Sequence, residues 1–203
     1  FDSEGTLVIG AAAPLARIYE DVDVRRRLPG LVDAASLIGG IQIQSRASLG
    51  GNLCNASPAA DSSPALIALG ATLVIASVSG RREIPVEEFF LGPGRNALEP
   101  GELLVEVRIP AQPPRSGTRY LRFIPRNEMD IAVASAGVRV QLAPDSDTLE
   151  SVRIALGAVG PTVKVVDVTS LAGRTADSAT IEEAGRLAAE VATPIDDMRG
   201  SII

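Results

Sequence analysis

The chain has 203 residues, of which 46% are hydrophobic and 22% charged, enough for one large domain or two small ones with a real core. It contains no histidine and a single cysteine, Cys54, which excludes Ser/His/Asp and Cys/His catalytic sets, paired-histidine zinc sites, an intrachain disulfide and any self-contained iron–sulfur or four-cysteine metal site. A net charge of −6 gives no bulk attraction to phosphodiester backbones, so nucleic acid is not an expected partner.

In chain order, Leu7-Val8-Ile9 between two glycines predicts a short buried strand, and Pro14 suits the first turn of a helix reaching Tyr19. Residues 21–28 form a polar helical stretch whose three arginines read as a solvated face, and Pro29-Gly30 starts a more apolar helix over 31–38, closed by Gly39-Gly40. Residues 42–61 are small and polar and predict a long non-repetitive loop; such loops in compact domains are functional or disordered. Ile43, Leu49, Leu53 and Cys54 would anchor it.

Ser63 as N-cap with Pro64 next predicts a helix to Leu69, stopped by Gly70. The apolar run 65–78 falls short of the roughly 20 residues of a membrane span. Residues 72–77 and 82–85 predict a hairpin through Ser79-Gly80, and 86–101 a loop with Phe89 and Phe90 buried. Residues 103–109 alternate as a half-buried strand. Prolines 110, 113 and 114 mark a linker, dividing the chain into 1–113 and 114–203. Beyond it, 119–123, 131–142 and 149–158 predict three consecutive antiparallel strands, followed by helices over 166–172 and 180–192. The fold class is α+β.

Gly50-Gly51, flanked by Ser48 and Asn52, is chemically suited to a nucleotide diphosphate, because glycine lets backbone amides approach an anion and the neighbouring side chains add hydrogen bonds. A tight turn is the alternative reading, and no GxGxxG or P-loop pattern supports a common nucleotide fold.

Gln42-Ile43 followed by Ala47-Ser48-Leu49-Gly50-Gly51-Asn52-Leu53-Cys54-Asn55-Ala56-Ser57-Pro58-Ala59-Ala60-Asp61 closely resembles the second FAD-binding motif of molybdenum hydroxylase flavoproteins. These are the medium subunits of carbon monoxide dehydrogenase-like enzymes and the central domain of xanthine dehydrogenase. Phe89-Phe90-Leu91-Gly92-Pro93-Gly94, Gly101-Glu102-Leu103-Leu104, Arg126-Asn127-Glu128-Met129-Asp130-Ile131-Ala132 and Asp196-Asp197-Met198-Arg199-Gly200-Ser201 resemble that family in the same order.

The resemblance implies an FAD-binding subdomain of the PCMH/vanillyl-alcohol-oxidase type followed by a C-terminal three-stranded antiparallel sheet with helices. It implies that Ser48, Gly50, Gly51 and Asn52 contact the FAD diphosphate and ribityl, that Asn55 and Asp61 hydrogen-bond near the ribityl and flavin, that Leu104 lies against the isoalloxazine, and that Arg122 sits near the flavin. Leu104 could equally be core, Arg122 an exposed strand charge, and Asp61 the cap of the following helix. No catalytic residue and no metal ligand is assigned.

With no histidine for a histidyl bond, FAD is expected to be held non-covalently. Molybdopterin and 2Fe-2S clusters are expected in a large and a small partner subunit, and the location is expected to be cytoplasmic. Relatives carry Arg-Asn where Gln44-Ser45 stand here. They also have a preceding glycine-rich diphosphate loop, so a chain opening at Phe1 is read as trimmed at its start. A fragment or assembly module that does not bind FAD alone is the competing reading, and a stand-alone flavin oxidase or reductase a third.

Overall fold

The computed structural model describes residues 1–126 and 129–198. Asn127, Glu128 and residues 199–201 of the motifs above lie outside the described residues. The elements are β1 (Leu7–Gly10), α1 (Leu15–Glu20), α2 (Val22–Arg27), α3 (Pro29–Ala35), α4 (Ile41–Gln44), α5 (Leu49–Cys54), α6 (Ser62–Leu69), β2 (Thr72–Ser77), β3 (Gly80–Pro85), a 3-10 turn (Val86–Glu88), β4 (Phe90–Gly92), β5 (Arg95–Asn96) and β6 (Leu103–Ile109). There follow β7 (Ser116–Phe123), β8 (Ala134–Leu142), β9 (Leu149–Gly157), β10 (Lys164–Val165), a second 3-10 turn (Thr169–Leu171) and α7 (Ser178–Val191).

The first lobe is built on an antiparallel sheet in the order β1-β6-β2-β3. Its core includes Leu31, Leu53, Leu73, Ile75, Phe89 and Val107, all fully buried. Phe90 is half-buried and meets Phe89 edge-on at 5.7 Å, a favoured aromatic geometry. The 86–101 segment is not wholly irregular: β4 and β5 pair as a small hairpin.

The second sheet runs β10-β9-β8-β7. The three expected strands pair consecutively in antiparallel register, and the two-residue β10 adds a short edge. Helix α7 covers one face through Ala184, Leu187, Ala188 and Val191, the i, i+3, i+4, i+7 stripe of an amphipathic helix. The helix expected over 166–172 is instead the 3-10 turn at Thr169–Leu171; Asp167 bonds the Thr169 amide and hydroxyl, holding a local turn.

The opposite face of that sheet receives α6, every residue of which is buried. This helix packs against β7, β8 and β9 as well as α3 and α5, and so joins the two lobes. It begins at Ser62, with Asp61 as its N-terminal flanking residue, and Pro64 falls within its first turn. There the missing amide of proline costs nothing. Gly70 closes it with φ 71°, the left-handed conformation that glycine adopts without a Cβ clash.

Residues 42–61 contain two short helices, α4 and α5, contrary to the loop expectation. Helix α5 forms despite two glycines because Ser48 Oγ accepts the Gly51 amide, as an N-cap does, and because its Leu49 and Leu53 are fully buried.

Between β5 and β6 the chain is clipped to β3 by a bidentate ion pair. Arg82 Nε and Nη2 each donate to Glu102 at 2.7 Å, Nη2 also reaches Ala97 O, and Glu102 accepts the Glu99 amide. The Arg82 guanidinium, helped by that amide, holds Glu102 down to about 2. A depressed carboxylate contributes stability above its unfolded value that is lost as pH falls through the folded one. Stability is therefore expected to decline between pH 4.5 and about 2, and Glu102→Gln to flatten that part of a chemical-denaturation profile against pH.

Candidate flavin-binding site

The Ser48–Asn55 turn is seated by main chain from distant parts of the first lobe. Ala11 N donates to Val105 O on β6, and Ala11 O accepts the Gly50 amide at 3.0 Å. Leu15 N donates to Ala47 O. A Cβ on Gly50 would come within 2.6 Å of both Ala11 Cβ and Ala11 O, closer than real atoms approach. Gly50 is thus required by close backbone packing, and its amide is committed to Ala11 as the Gly51 amide is to Ser48.

Gly51 and Asn55 are exposed, and Ser48 and Asn52 are half-exposed. Side-chain hydroxyl and amide groups, together with the bare Cα of Gly51, form the accessible surface of the turn. Asn96 Nδ2 donates to Cys54 O at 2.8 Å and Gly94 N to Ala56 O, tying the end of α5 to the β4–β5 hairpin. Cys54 is half-buried, and burial raises its thiol pKa, which disfavours the nucleophilic thiolate. Leu104 is half-buried at the β2–β6 irregularity, opposite Ile75 and packed on the first-lobe core. It adjoins Val105, whose carbonyl anchors Ala11, so the strand and the turn share one support.

A polar chain continues from the turn to the second sheet. Ser62 Oγ donates to Asn52 Oδ1 at 2.6 Å. The adjacent Asp61 makes no side-chain cap to α6. Its Oδ1 instead accepts the Tyr120 hydroxyl at 2.6 Å, and its Oδ2 pairs with Arg122 Nη1 at 3.0 Å. Arg122 is no exposed strand charge: its side chain is 7% exposed, and its Nε is buried without a partner among the described residues.

Burial raises the Asp61 pKa, against the lowering effects of the Tyr120 hydrogen bond and Arg122. Burial and then the Asp61 charge raise Tyr120 far above the ordinary phenol range, so the hydroxyl remains a donor. Tyr120 was not singled out from sequence, although its i, i+2 spacing with Arg122 places both on one strand face.

Ser48, Gly50, Gly51, Asn52, Asn55, Asp61 and Arg122 therefore lie along one connected structure, with Leu104 on the strand beneath it. Among the described residues no group of three or more Cys, Asp or Glu could hold a metal, and no helix is long and apolar enough to cross a membrane.

Two four-stranded antiparallel sheets joined by a buried helix, with the Ser48–Asn55 turn on the first lobe, make an α+β fold. Residues 2–112 match the model for the FAD binding domain in molybdopterin dehydrogenase, and 119–202 match the CO dehydrogenase flavoprotein C-terminal domain. The chain belongs to this molybdopterin dehydrogenase flavoprotein family.

It is 36% identical over 160 residues to the xanthine dehydrogenase FAD-binding subunit of Escherichia coli O157:H7, covering 78% of this chain and 54% of that one. It is 32% identical over 197 residues to the carbon monoxide dehydrogenase medium chain of Hydrogenophaga pseudoflava, covering 96% and 68%. Among solved structures, carbon monoxide dehydrogenase from H. pseudoflava superposes with a TM-score of 0.92 at 31% identity over 99% of this chain and 70% of that one. Quinoline 2-oxidoreductase from Pseudomonas putida 86 gives 0.89 at 30% identity over the same shares. The chain thus spans about half the length of the E. coli relative.

Proposed function

We propose that this chain is the FAD-binding part of a molybdenum hydroxylase-type oxidoreductase. It takes electrons from 2Fe-2S clusters in a small partner subunit and passes them through FAD to an external acceptor such as NAD+, quinone or oxygen. Molybdopterin belongs to a large partner subunit, and the complex works in the cytoplasm. The observation that carries the reading is the run of polar groups from Ser48 to Asn52, from Asn52 to Ser62, and from the adjacent Asp61 to Arg122, in a protein of this family.

The residues fit FAD. Arg122 Nε and Ser63 Oγ are buried polar atoms beside these groups without partners among the described residues, and the open side of the turn presents neutral hydrogen-bonding groups suited to a diphosphate and a polyol. In this reading Ser48, Gly51, Asn52 and Asn55 hold the diphosphate and ribityl. Gly50 holds the turn itself, Asp61 lies near the ribityl and flavin, Leu104 gives the ring an apolar surface and Arg122 lies beside the flavin.

The cofactor supplies the hydride and electron chemistry, and the protein positions it. The lack of histidine and the poorly nucleophilic Cys54 thiol both support non-covalent attachment. Arg122 carries its counter-charge in Asp61, so it presents a dipole rather than an isolated cation.

Denaturing the full-length protein is expected to release intact FAD into the supernatant. Gly51→Val, which places a branched side chain at the exposed turn against Ser48 Oγ, is expected to weaken FAD binding at least tenfold in a fluorescence titration, about 1.4 kcal/mol. A colourless full-length protein with no measurable FAD affinity would sink the reading.

A further inference from the structure

Tyr120, on β7 of the second sheet, is 1% exposed and bonds two separate segments of the first lobe. Its amide donates to Asp33 Oδ2 on α3 at 3.2 Å, and its hydroxyl donates to Asp61 Oδ1 at the start of α6. The same Oδ1 lies 3.2 Å from Arg122 Nη1, and Oδ2 lies 3.0 Å from it. One carboxylate thus takes a neutral donor and a cation from two residues on the same face of β7. A buried carboxylate is held in its charged form only by such partners.

We propose that Tyr120 is a positioning residue of the FAD site: by donating to Asp61 it keeps that carboxylate in its pair with Arg122, so that Arg122 meets the flavin as half of a neutral pair and becomes a bare cation only when Asp61 takes a proton. The proposal rests on the reading that places Arg122 beside the flavin.

Tyr120 and Arg122 are the titratable groups that face Asp61. On the other elements packed against α6, Asp33 of α3 pairs with Arg119, and Glu87 of the first 3-10 turn pairs with Arg153 of β9. Arg139 of β8 bonds Ser151, and Cys54 ends α5. The hydrogen bond from Tyr120 lowers the Asp61 pKa against the upward push of burial. Losing it therefore moves the protonation of Asp61 to higher pH. Protonation removes the counter-charge of Arg122, and a cation near the flavin favours the reduced, more negative form.

The test is the midpoint potential of FAD in the full-length protein, followed by spectroelectrochemistry as a function of pH. The wild-type profile is expected to rise beyond its ordinary slope as pH falls through the Asp61 titration. Tyr120→Phe is expected to move that bend to higher pH. Asp61→Asn is expected to abolish the bend and favour reduced flavin at neutral pH about tenfold, or ~30 mV for a two-electron couple. Tyr120→Phe removes only the hydroxyl and leaves the ring and the side chains of Asp61 and Arg122 in the chain, so it decides the matter even where Asp61→Asn fails to fold.

A Tyr120→Phe protein that is less stable but bends at the wild-type pH would make Tyr120 a structural tie only and overturn the proposal. Arg122→Gln separates this from failure of the underlying reading. A lowered acid-side potential in Arg122→Gln leaves Arg122 beside the flavin, whatever Tyr120→Phe shows. An Arg122→Gln protein with unchanged potential and flavin spectrum removes that placement, and the proposal falls with it.

Discussion

Gly137→Ala is expected to destabilise the protein by about 2–3 kcal/mol, the upper part of the range for overpacking a close-packed site. Gly137 lies on β8 where α6 crosses the second sheet. A Cβ there would lie 2.7 Å from the Ala65 amide nitrogen and closer still to the Pro64 carbonyl. Both obstacles are helix backbone, which cannot rotate away as a side chain would, so the helix or the strand must move.

The same displacement would shift Asp61, immediately before α6, relative to Arg122 on β7. Gly137→Ala is therefore expected to weaken FAD binding in the full-length protein as well as lowering the urea midpoint. Gly117→Ala on β7 is the control, because nothing lies within 4 Å of the added methyl. A Gly137→Ala protein as stable as Gly117→Ala would show that the contact between α6 and the sheet is looser than the structure has it.

The second large effect concerns the Asp61–Arg122 pair, which is buried on both sides. Arg122→Met leaves the Asp61 carboxylate in the interior without its cation, with the Tyr120 hydroxyl still donating to it, and the loss is expected to be about 3–5 kcal/mol. Asp61→Leu with Arg122→Met together removes both charges, and is expected to recover most of that loss in stability, since apolar replacements of buried pairs are often neutral or better. FAD affinity is not expected to recover with it. Urea denaturation of the single and double variants measures the coupling directly. Additive effects would mean the pair is not energetically joined.

The separate roles of the two adjacent glycines were not legible in sequence. Gly50 and Gly51 both read as approaches for an anion, but the fold spends Gly50 on a contact with Ala11, 39 positions earlier in the chain, and leaves Gly51 facing out. Short helix α5 was missed for the same reason. Its local propensity is poor, and its stability comes from the Ser48 cap and from burial of Leu49 and Leu53. Asp61 likewise carried a local reading, a helix cap, that lost to partners 59 and 61 residues away.

Periodicity by itself determined what depends on neighbours along the chain. The alternating strand over Leu103–Ile109 and the amphipathic stripe of α7 were readable because the solvent-facing and buried sides alternate with the geometry of the element. Helix α6, buried on every side, was readable instead from Pro64 in its first turn and Gly70 at its end. The linear order of residues also carried the FAD resemblance, and the absence of histidine from this sequence excluded imidazole catalysis by its own residues.

Only the tertiary structure decided which polar groups meet. It placed Asp61 against Tyr120 and Arg122, so that the charge carried by Arg122 is buried and paired. It also gave Tyr120, a residue with no motif of its own, bonds from the second sheet to Asp33 and Asp61 in the first lobe. The reason is physical: an unpaired polar group is costly in the interior, so the partner a buried side chain takes is set by which strand and helix the fold brings together.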